Sequence, residues 1–428
     1  SPASFYPQDV KELWSKVELS RLNEKTLQVK LPEPYAPFLD YVTFGVLPKH
    51  LLSSIPMEQV LNAEFNLKPV GSGPYKFDHL LVENGQITGL ALTAFDQYYR
   101  QRAFIDQVIF KYYPTSAAAF DAYSSGEVAG VSHVTTDILP QALADPALSV
   151  YTSRMPQMGF VLFNLNNPEV PFLQEPKIRK ALMLGLNRQR LIDAFLQGQA
   201  IPVHGPILPG SWAHYDGVEQ IPYDADLAVA LLKELGYALP SDGSAVRANE
   251  SQSLAFTLVH PDDSVHTQMA QSIQQNWAAI GVKVDLIAAS YDSLQNDYLA
   301  PRRYQAALVE LAFARTPDPD PYPFWHQAEA TGGQNYSQWD NRAASEYLEQ
   351  ARVTTDFSLR ARLYRNFQVI FSRELPALPL YVPVYSYAVA SNVQGVQMPP
   401  LFDPSDRLSL ITQWFLVVRR GLEPTAAP

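Results

Sequence analysis

Thr316-Pro-Asp-Pro-Asp-Pro-Tyr-Pro-Phe-Trp325 packs four prolines, two carboxylates and three aromatic rings into ten residues. Each proline restrains its own φ, lacks a backbone donor and biases the residue before it away from the helical region. The stretch therefore reads as a stiff loop, neither a regular helix nor a central strand. Such a loop holds Asp318, Asp320, Tyr322, Phe324 and Trp325 in set directions. Rigid loops that carry aromatic and charged side chains suit a small-molecule site. The plain alternative is a proline-rich surface turn.

Just before this loop, residues 306–313 form an apolar, β-type run. Sites in open α/β sheets lie beyond the carboxyl ends of strands, so this position favours the functional reading of the loop. Upstream, residues 254–259 read as a strand and 264–280 as a helix stopped at Gly281. Residues 282–287 return as a strand. Asp224 caps a helix whose apolar face is Leu227, Ala228, Leu231, Leu232 and Leu235, and Asn187 caps one bearing Leu191, Ile192, Phe195 and Leu196. Residues 177–186 repeat apolar side chains at helical spacing, and 159–165 read as a buried strand. Downstream, Asp356 caps a long helix to about residue 371, and residues 380–389 form a last strand.

The first third of the chain is organised similarly. Residues 26–31 alternate as a strand, 47–52 enter a short helix, and 70–77 are a turn feeding a strand partnered by 87–95. Residues 107–113, a helix capped by Thr115, and residues 128–134 read as strand, helix and strand, which implies parallel pairing. The Pro/Gly-rich residues 200–217 form a connector that is expected to cross between two α/β blocks, 69–195 and 196–390.

At 428 residues the chain is long enough for two or three cores. With 47% hydrophobic and 18% charged residues it has the composition of a globular protein. A formal charge of −11 argues against nucleic-acid or anionic-membrane partners. The absence of cysteine excludes disulfides, thiolate metal sites and a cysteine nucleophile. The eight histidines fall in no metal-ligand spacing. There is no G-x-S-x-G elbow, and the glycines at 71–73 lack the Lys-Ser/Thr ending of a phosphate loop. Asp318 and Asp320 point apart in an extended chain, so they are no ready acid/base pair. No cofactor, metal or catalytic signature is legible. Loop-borne aromatics, namely Trp212, Tyr322, Trp325, Tyr336 and Trp339, are the rings placed to face a ligand.

Taken in order, several phrases resemble one family. They are Val70-Gly-Ser-Gly-Pro-Tyr-Lys-Phe77, Tyr123-Ser-Ser-Gly-Glu-Val128, Phe163-Asn-Leu-Asn-Asn167 and Lys177-Ile-Arg-Lys-Ala-Leu182 with Asn187-Arg188. Gly198-Gln199, Gly205-Pro206, Tyr223-Asp224, Ile280-Gly-Val282, Asp318-Pro-Asp320, Asn335-Tyr336 and Asp356 before Arg360 continue the series. The chain resembles the extracytoplasmic solute-binding proteins of ABC importers, in the dipeptide/oligopeptide-binding class. That resemblance implies an α/β, two-lobed periplasmic-binding-protein-like fold of type II, with mixed sheets, helices on both faces and a ligand cleft between the lobes. It implies a monomeric, non-enzymatic receptor outside the cytoplasm, either periplasmic or lipid-anchored. Such a receptor closes on a solute at a hinge and is read by a membrane permease.

By the same resemblance, residues 1–68 are a remnant of the extra domain of the peptide-binding class, and 69–195 are part of lobe I. Residues 196–390 are then lobe II, and 391–428 return to lobe I. The family's first strands precede the part that residue 1 matches. Ligand-binding residues are expected at Trp212, Phe313, Arg315, Asp318, Tyr322, Trp325, Asn335 and Tyr336. Peptide-binding members carry a Trp and an Asp shortly before the Asp-Pro motif, and that Asp pairs with the peptide ammonium. The matching positions here are Ala312 and Arg315. A guanidinium repels an ammonium and suits a carboxylate, phosphate or sugar hydroxyl. Peptide and oligosaccharide ligands therefore both stay open. A carboxylate-dependent hydrolase and a sensory module on the same fold are the readings from other classes.

Overall fold

The computed structural model describes residues 8–313 and 317–417. The chain divides into two units: Ser1–Glu12, Phe44–Arg154 and Val384–Pro428 in one, Leu13–Thr43 and Met155–Pro383 in the other. The division falls at 154/155 and 383/384 and not at the expected 195/196. Residues 155–195 pack into the same hydrophobic core as the strands that follow them, which explains the shift.

In the larger unit β1 is Gln157–Phe163, α1 Pro176–Leu184, α2 Arg188–Phe195 and α3 Ala225–Glu234. Next come β2 Ala255–Pro261, α4 Ser264–Ala279, β3 Lys283–Ala289 and β4 Ala306–Ala312. α5 Arg342–Val353, α6 Phe357–Glu374 and the first half of β5 Ala377–Ala390, to Pro383, complete it. The strand order is β3-β2-β4-β1-β5. β2 is parallel to β3 (Leu258↔Leu286) and to β4 (Leu258↔Ala306), whereas β1 runs antiparallel to β4 (Phe160↔Val309) and to β5 (Val161↔Leu378). β1 and β4 are buried along nearly their whole length, as their near-continuous apolar sequences require. The β1–β5 register shifts between Pro379 and Tyr381, which accommodates a proline inside a paired strand.

The helices start where short polar side chains can take up orphan N–H groups. Asn187, Asp224, Asp263 and Asp356 each accept from backbone N–H groups of the turn that follows. Trp277 of α4 is fully buried, packs on Phe256 at 5.5 Å and donates Nε1 to the Leu182 carbonyl at 2.8 Å, tying α4 to α1. Two buried arginines do similar work over longer sequence distances. Arg179 of α1 donates Nε to the carbonyls of Glu374, at 3.0 Å, and Leu375, at 2.8 Å, and so places a cation at the carboxyl end of α6. Burial lowers its pKa to about 10, which leaves it charged at neutral pH. Arg188 donates to the carbonyls of Val203, Pro379 and Ile221. That bonding fixes the 200–217 connector within the larger unit, where Ala200–Pro202 pairs with β5. The connector is therefore no crossing between units.

The smaller unit contains an antiparallel meander of Tyr75–Glu83, Gln86–Ala94 and Gln107–Lys111. Its first turn uses Asn84 and Gly85, both at positive φ, as a tight hairpin requires. Thr115 caps helix Ser116–Ser124, accepting from Ala118 N–H at 3.1 Å. The parallel pairing expected for residues 107–134 is not found. Gln107–Lys111 pairs antiparallel in the meander, and only Gly130–Val131 is strand, antiparallel to the far half of β5. A crossover that returned to the same sheet would need both strands in one sheet, and here they belong to two. A compact core of Phe120, Val131, Val134, Ile138, Leu139 and Leu148 supports this part of the unit.

Candidate functional site

The proline-rich loop leaves the carboxyl end of β4 in the larger unit. Residues 317–321 form no regular element, and residues Tyr322–Trp325 wind into one helical turn. Pro323 does not prevent this, because the first turn of a helix needs no N–H from it. The loop is held by its own carboxylates. Asp318 receives both arms of the Arg360 guanidinium, Nη1 to Oδ2 at 2.7 Å and Nη2 to Oδ1 at 2.8 Å. Arg360 also donates Nε to the Ala351 carbonyl at 3.0 Å, and its side chain is 2% exposed. Asp320 accepts Nε and Nη2 of Arg352, both at 2.8 Å. The loop is therefore bound to α5 through Arg352, whose two nitrogens share Asp320 Oδ2, and to α6 through Arg360, which meets both oxygens of Asp318 fork to fork.

Aromatic rings close over these pairs. The Arg352 guanidinium lies 3.6 Å above the Tyr322 ring, which stacks on His326 at 3.9 Å. Trp212 sits over Arg360 at 5.0 Å and packs edge-on to Phe357. The 3-10 segment Ala36–Val42 supplies Asp40, whose Oδ2 accepts the Asp318 N–H at 2.8 Å. Burial raises the Asp40 carboxyl above its ordinary value, and the neighbouring Asp318 and Asp320 charges add to this against Arg360. Burial also pulls the Arg352 guanidinium down, but Asp320 beside it more than offsets that.

Of the residues expected to bind ligand, the structure brings Trp212, Asp318 and Tyr322 into one cluster through Arg352 and Arg360. Phe313 packs edge-on against Phe324 at 5.2 Å, at the base of the same loop. Arg315 lies outside the described residues. Trp325 is 1% exposed, wedged against Phe160 and Phe371, so its ring belongs to the core. Asn335 is fully buried, and its amide bonds to the His326 carbonyl and to both backbone groups of Trp339. These bonds hold the 335–339 turn. Tyr336 is half-buried under Arg302, 4.8 Å away, and its hydroxyl accepts from Gln295 at 3.0 Å.

The sequence reading missed Asp40, Arg352 and Tyr35, whose ring lies 5.8 Å from the Arg352 guanidinium, and it treated Arg360 only as part of a motif. It also missed a second polar cluster at the carboxyl ends of the parallel strands. His266 Nδ1 lies 2.7 Å from Asp263 Oδ2, and the Tyr291 hydroxyl donates to the same oxygen at 3.1 Å. Glu310 accepts from Tyr381 at 3.0 Å and from Gln157 at 2.9 Å, and burial raises its carboxyl pKa. The signal available in the sequence was a lone carboxylate within the apolar run of β4.

Among the described residues no group of three His, Cys, Asp or Glu is placed to hold a metal, and no helix is long and apolar enough to cross a membrane. The carboxylates of Asp318 and Asp320 are committed to arginines, and that of Asp40 to the Asp318 N–H.

Residues 6–334 match the family model described as bacterial extracellular solute-binding proteins, family 5 Middle. The dipeptide-binding protein of Escherichia coli (strain K12) is 24% identical over 392 residues, 90% of this chain and 69% of that protein. Among solved structures, the oligopeptide-binding protein AppA from Bacillus subtilis, in complex with a nonapeptide, superposes with a TM-score of 0.70 at 22% identity, covering 95% of this chain and 79% of that one. NikZ from Campylobacter jejuni in complex with Ni(L-His) gives 0.72 at 21% identity, covering 95% and 80%.

Proposed function

Because the chain belongs to the bacterial extracellular solute-binding proteins, family 5, we propose that it is the substrate-binding component of an ABC importer and that its solute is a peptide. The family match over residues 6–334 carries this reading. The relatives named for dipeptides and oligopeptides supply the ligand class. The protein works outside the cytoplasm, free in the periplasm or anchored by lipid, and hands its solute to permease subunits as a monomer. Capture is by hinge closure and involves no catalysis.

In this proposal Trp212, Phe313 and Tyr322 line the site with Arg315, while Asp318 and Asp320 hold the loop in shape. Rigidity is what such a wall contributes, since a loop ordered in advance loses little entropy when the ligand arrives. Arg315 stands where the resemblance puts an ammonium-binding carboxylate. That substitution favours a peptide whose amino group is blocked or engaged elsewhere, and it also keeps an oligosaccharide in play.

Native mass spectrometry of the protein as purified, followed by calorimetry with Gly-Leu, N-acetyl-Gly-Leu and maltotriose, tests the proposal. A retained peptide mass, or binding of one of the two dipeptides, is the expected result. Binding of maltotriose alone replaces peptide with saccharide, and cleavage of any probe overturns the receptor reading. Small-angle scattering at saturation is expected to show a smaller radius of gyration, and an unchanged radius would remove hinge closure.

A further inference from the structure

Gly159 lies at the centre of a three-strand contact in the larger unit. It is the register partner of Glu310 on β4 and of Tyr381 on β5, so the three residues share one face of the sheet. A Cβ at 159 would stand 2.8 Å from the Tyr381 ring, which lies over the glycine. Laid across β1 in this way, Tyr381 reaches the far strand and donates its hydroxyl to Glu310 Oε1 at 3.0 Å. Gln157, two residues before Gly159 and on the same face, donates Nε2 to Glu310 Oε2 at 2.9 Å. One carboxyl thus holds both β1 and β5. Those are the strands at which the chain passes from one unit to the other, at 154/155 and 383/384. Gln157 is two residues from Met155, and Tyr381 is two from Pro383.

The carboxyl has two bonded forms. Ionised, it accepts from Tyr381 and Gln157. Protonated from solvent, it donates its O–H to the Tyr381 oxygen, and Tyr381 turns its own O–H to Met269 Sδ, 3.8 Å away. The surroundings separate the two forms. Ala306–Val309 and Leu311 on either side are buried, and no arginine or lysine among the described residues pairs with Glu310. The groups facing it are His266 and Asp263 from the start of α4, Tyr381 from β5 and the uncharged Gln157 from β1, with Tyr291 bonded to Asp263. Burial, joined by Asp263, raises the carboxyl against the pull of His266 and the Tyr381 bond. A carboxylate without a cation is better solvated where the strands part and admit water.

We propose that Glu310 is a proton-operated clasp on the two crossing strands, firm while protonated and loosened when it ionises. Because the carboxyl is raised, the fold holds this proton more tightly than the unfolded chain does. The contribution is therefore present below the ordinary carboxylate range and is lost as pH rises through the raised value. The clasp lies within the larger unit, and its action does not depend on which solute the protein takes.

Amide hydrogen exchange of the full chain over a pH series from about 5 to 8, each rate divided by its unstructured-peptide value, tests this. Protection at Met158, Gly159, Tyr381 and Val382 is expected to fall at least about tenfold relative to Phe256–Val259 of β2, as for a carboxyl raised by about one unit. Glu310→Gln keeps the shape and cannot ionise, so its response is expected to be flat. Tyr381→Phe keeps the ring and removes the hydroxyl that favours the ionised form, so its fall in protection moves to higher pH. Equal protection across the series in the parent, or the same fall in Glu310→Gln as in the parent, overturns the proposal. So does an unshifted midpoint in Tyr381→Phe, which would assign the response to another group.

Discussion

Asp318 is a candidate ligand contact by its sequence, and its neighbours in space commit its carboxylate to Arg360. A loop residue between prolines can point a carboxylate at a ligand or at a buried cation, and the local sequence is the same in both cases. Arg360, 42 residues away, takes both carboxylate oxygens. Asp318→Asn leaves a guanidinium that is 2% exposed without its anion, and it is expected to lower stability by about 3 kcal/mol in urea unfolding with the m-value unchanged. Adding Arg360→Met to that variant is expected to recover much of the loss, because the unpaired charge is then gone. Full additivity of the two would show that the pair is not coupled. Arg315→Asp is expected to raise affinity for Gly-Leu at least about tenfold, by supplying the anion that an ammonium needs. Equal calorimetric affinities would remove the explanation by charge.

At the scale of elements, helix starts were readable because caps are local. Thr115, Asn187, Asp224 and Asp356 each accept an N–H three residues ahead, a bond that needs no tertiary partner. The single turn at Tyr322–Trp325 was not readable, since four prolines in ten residues outweigh one short helical start. Nor was the Ala36–Val42 segment, whose Asp40 meets the loop across 278 residues. Asp40 makes a pH prediction. Its carboxyl is raised in the folded state, so the fold binds that proton more tightly than the unfolded chain does. The contribution of Asp40 to stability is therefore most favourable below the ordinary carboxylate range and falls as pH rises through the raised value. Asp40→Asn keeps an acceptor for the Asp318 N–H and removes the charge. It is expected to lose less of its urea midpoint than the parent as pH rises from about 4 to 7, the remainder of the decline belonging to groups such as Glu310 whose carboxyl is also raised. A parallel decline in both proteins would contradict the assignment.

For the whole molecule, the two units differ in what holds them. The larger has one extended core running from Met158 to Val382 and including Trp277, Phe367 and Phe371, all fully buried. The smaller has the compact cluster around Phe120 and Val131, with a three-stranded meander much of which stays accessible. Hydrogen exchange is expected to reflect this. Amides of β1 and β4 should outlast those of Tyr75–Glu83 by at least about tenfold, because local opening follows buried apolar packing. Equal rates would mean that the units open as one.

The sequence by itself determined the alternation of helices and strands, the helix caps, the absence of thiol chemistry and the resemblance that names the family. All of these rest on residue type and near-neighbour spacing. Tertiary structure alone decided that the chain divides at 154/155 and 383/384, that Arg179 and Arg188 bind distant carbonyls, and that the carboxylates of the 316–325 loop belong to Arg352 and Arg360. Those outcomes depend on which side chains meet across tens to hundreds of residues. Spacing along a chain carries no record of such meetings until the strands between them have paired.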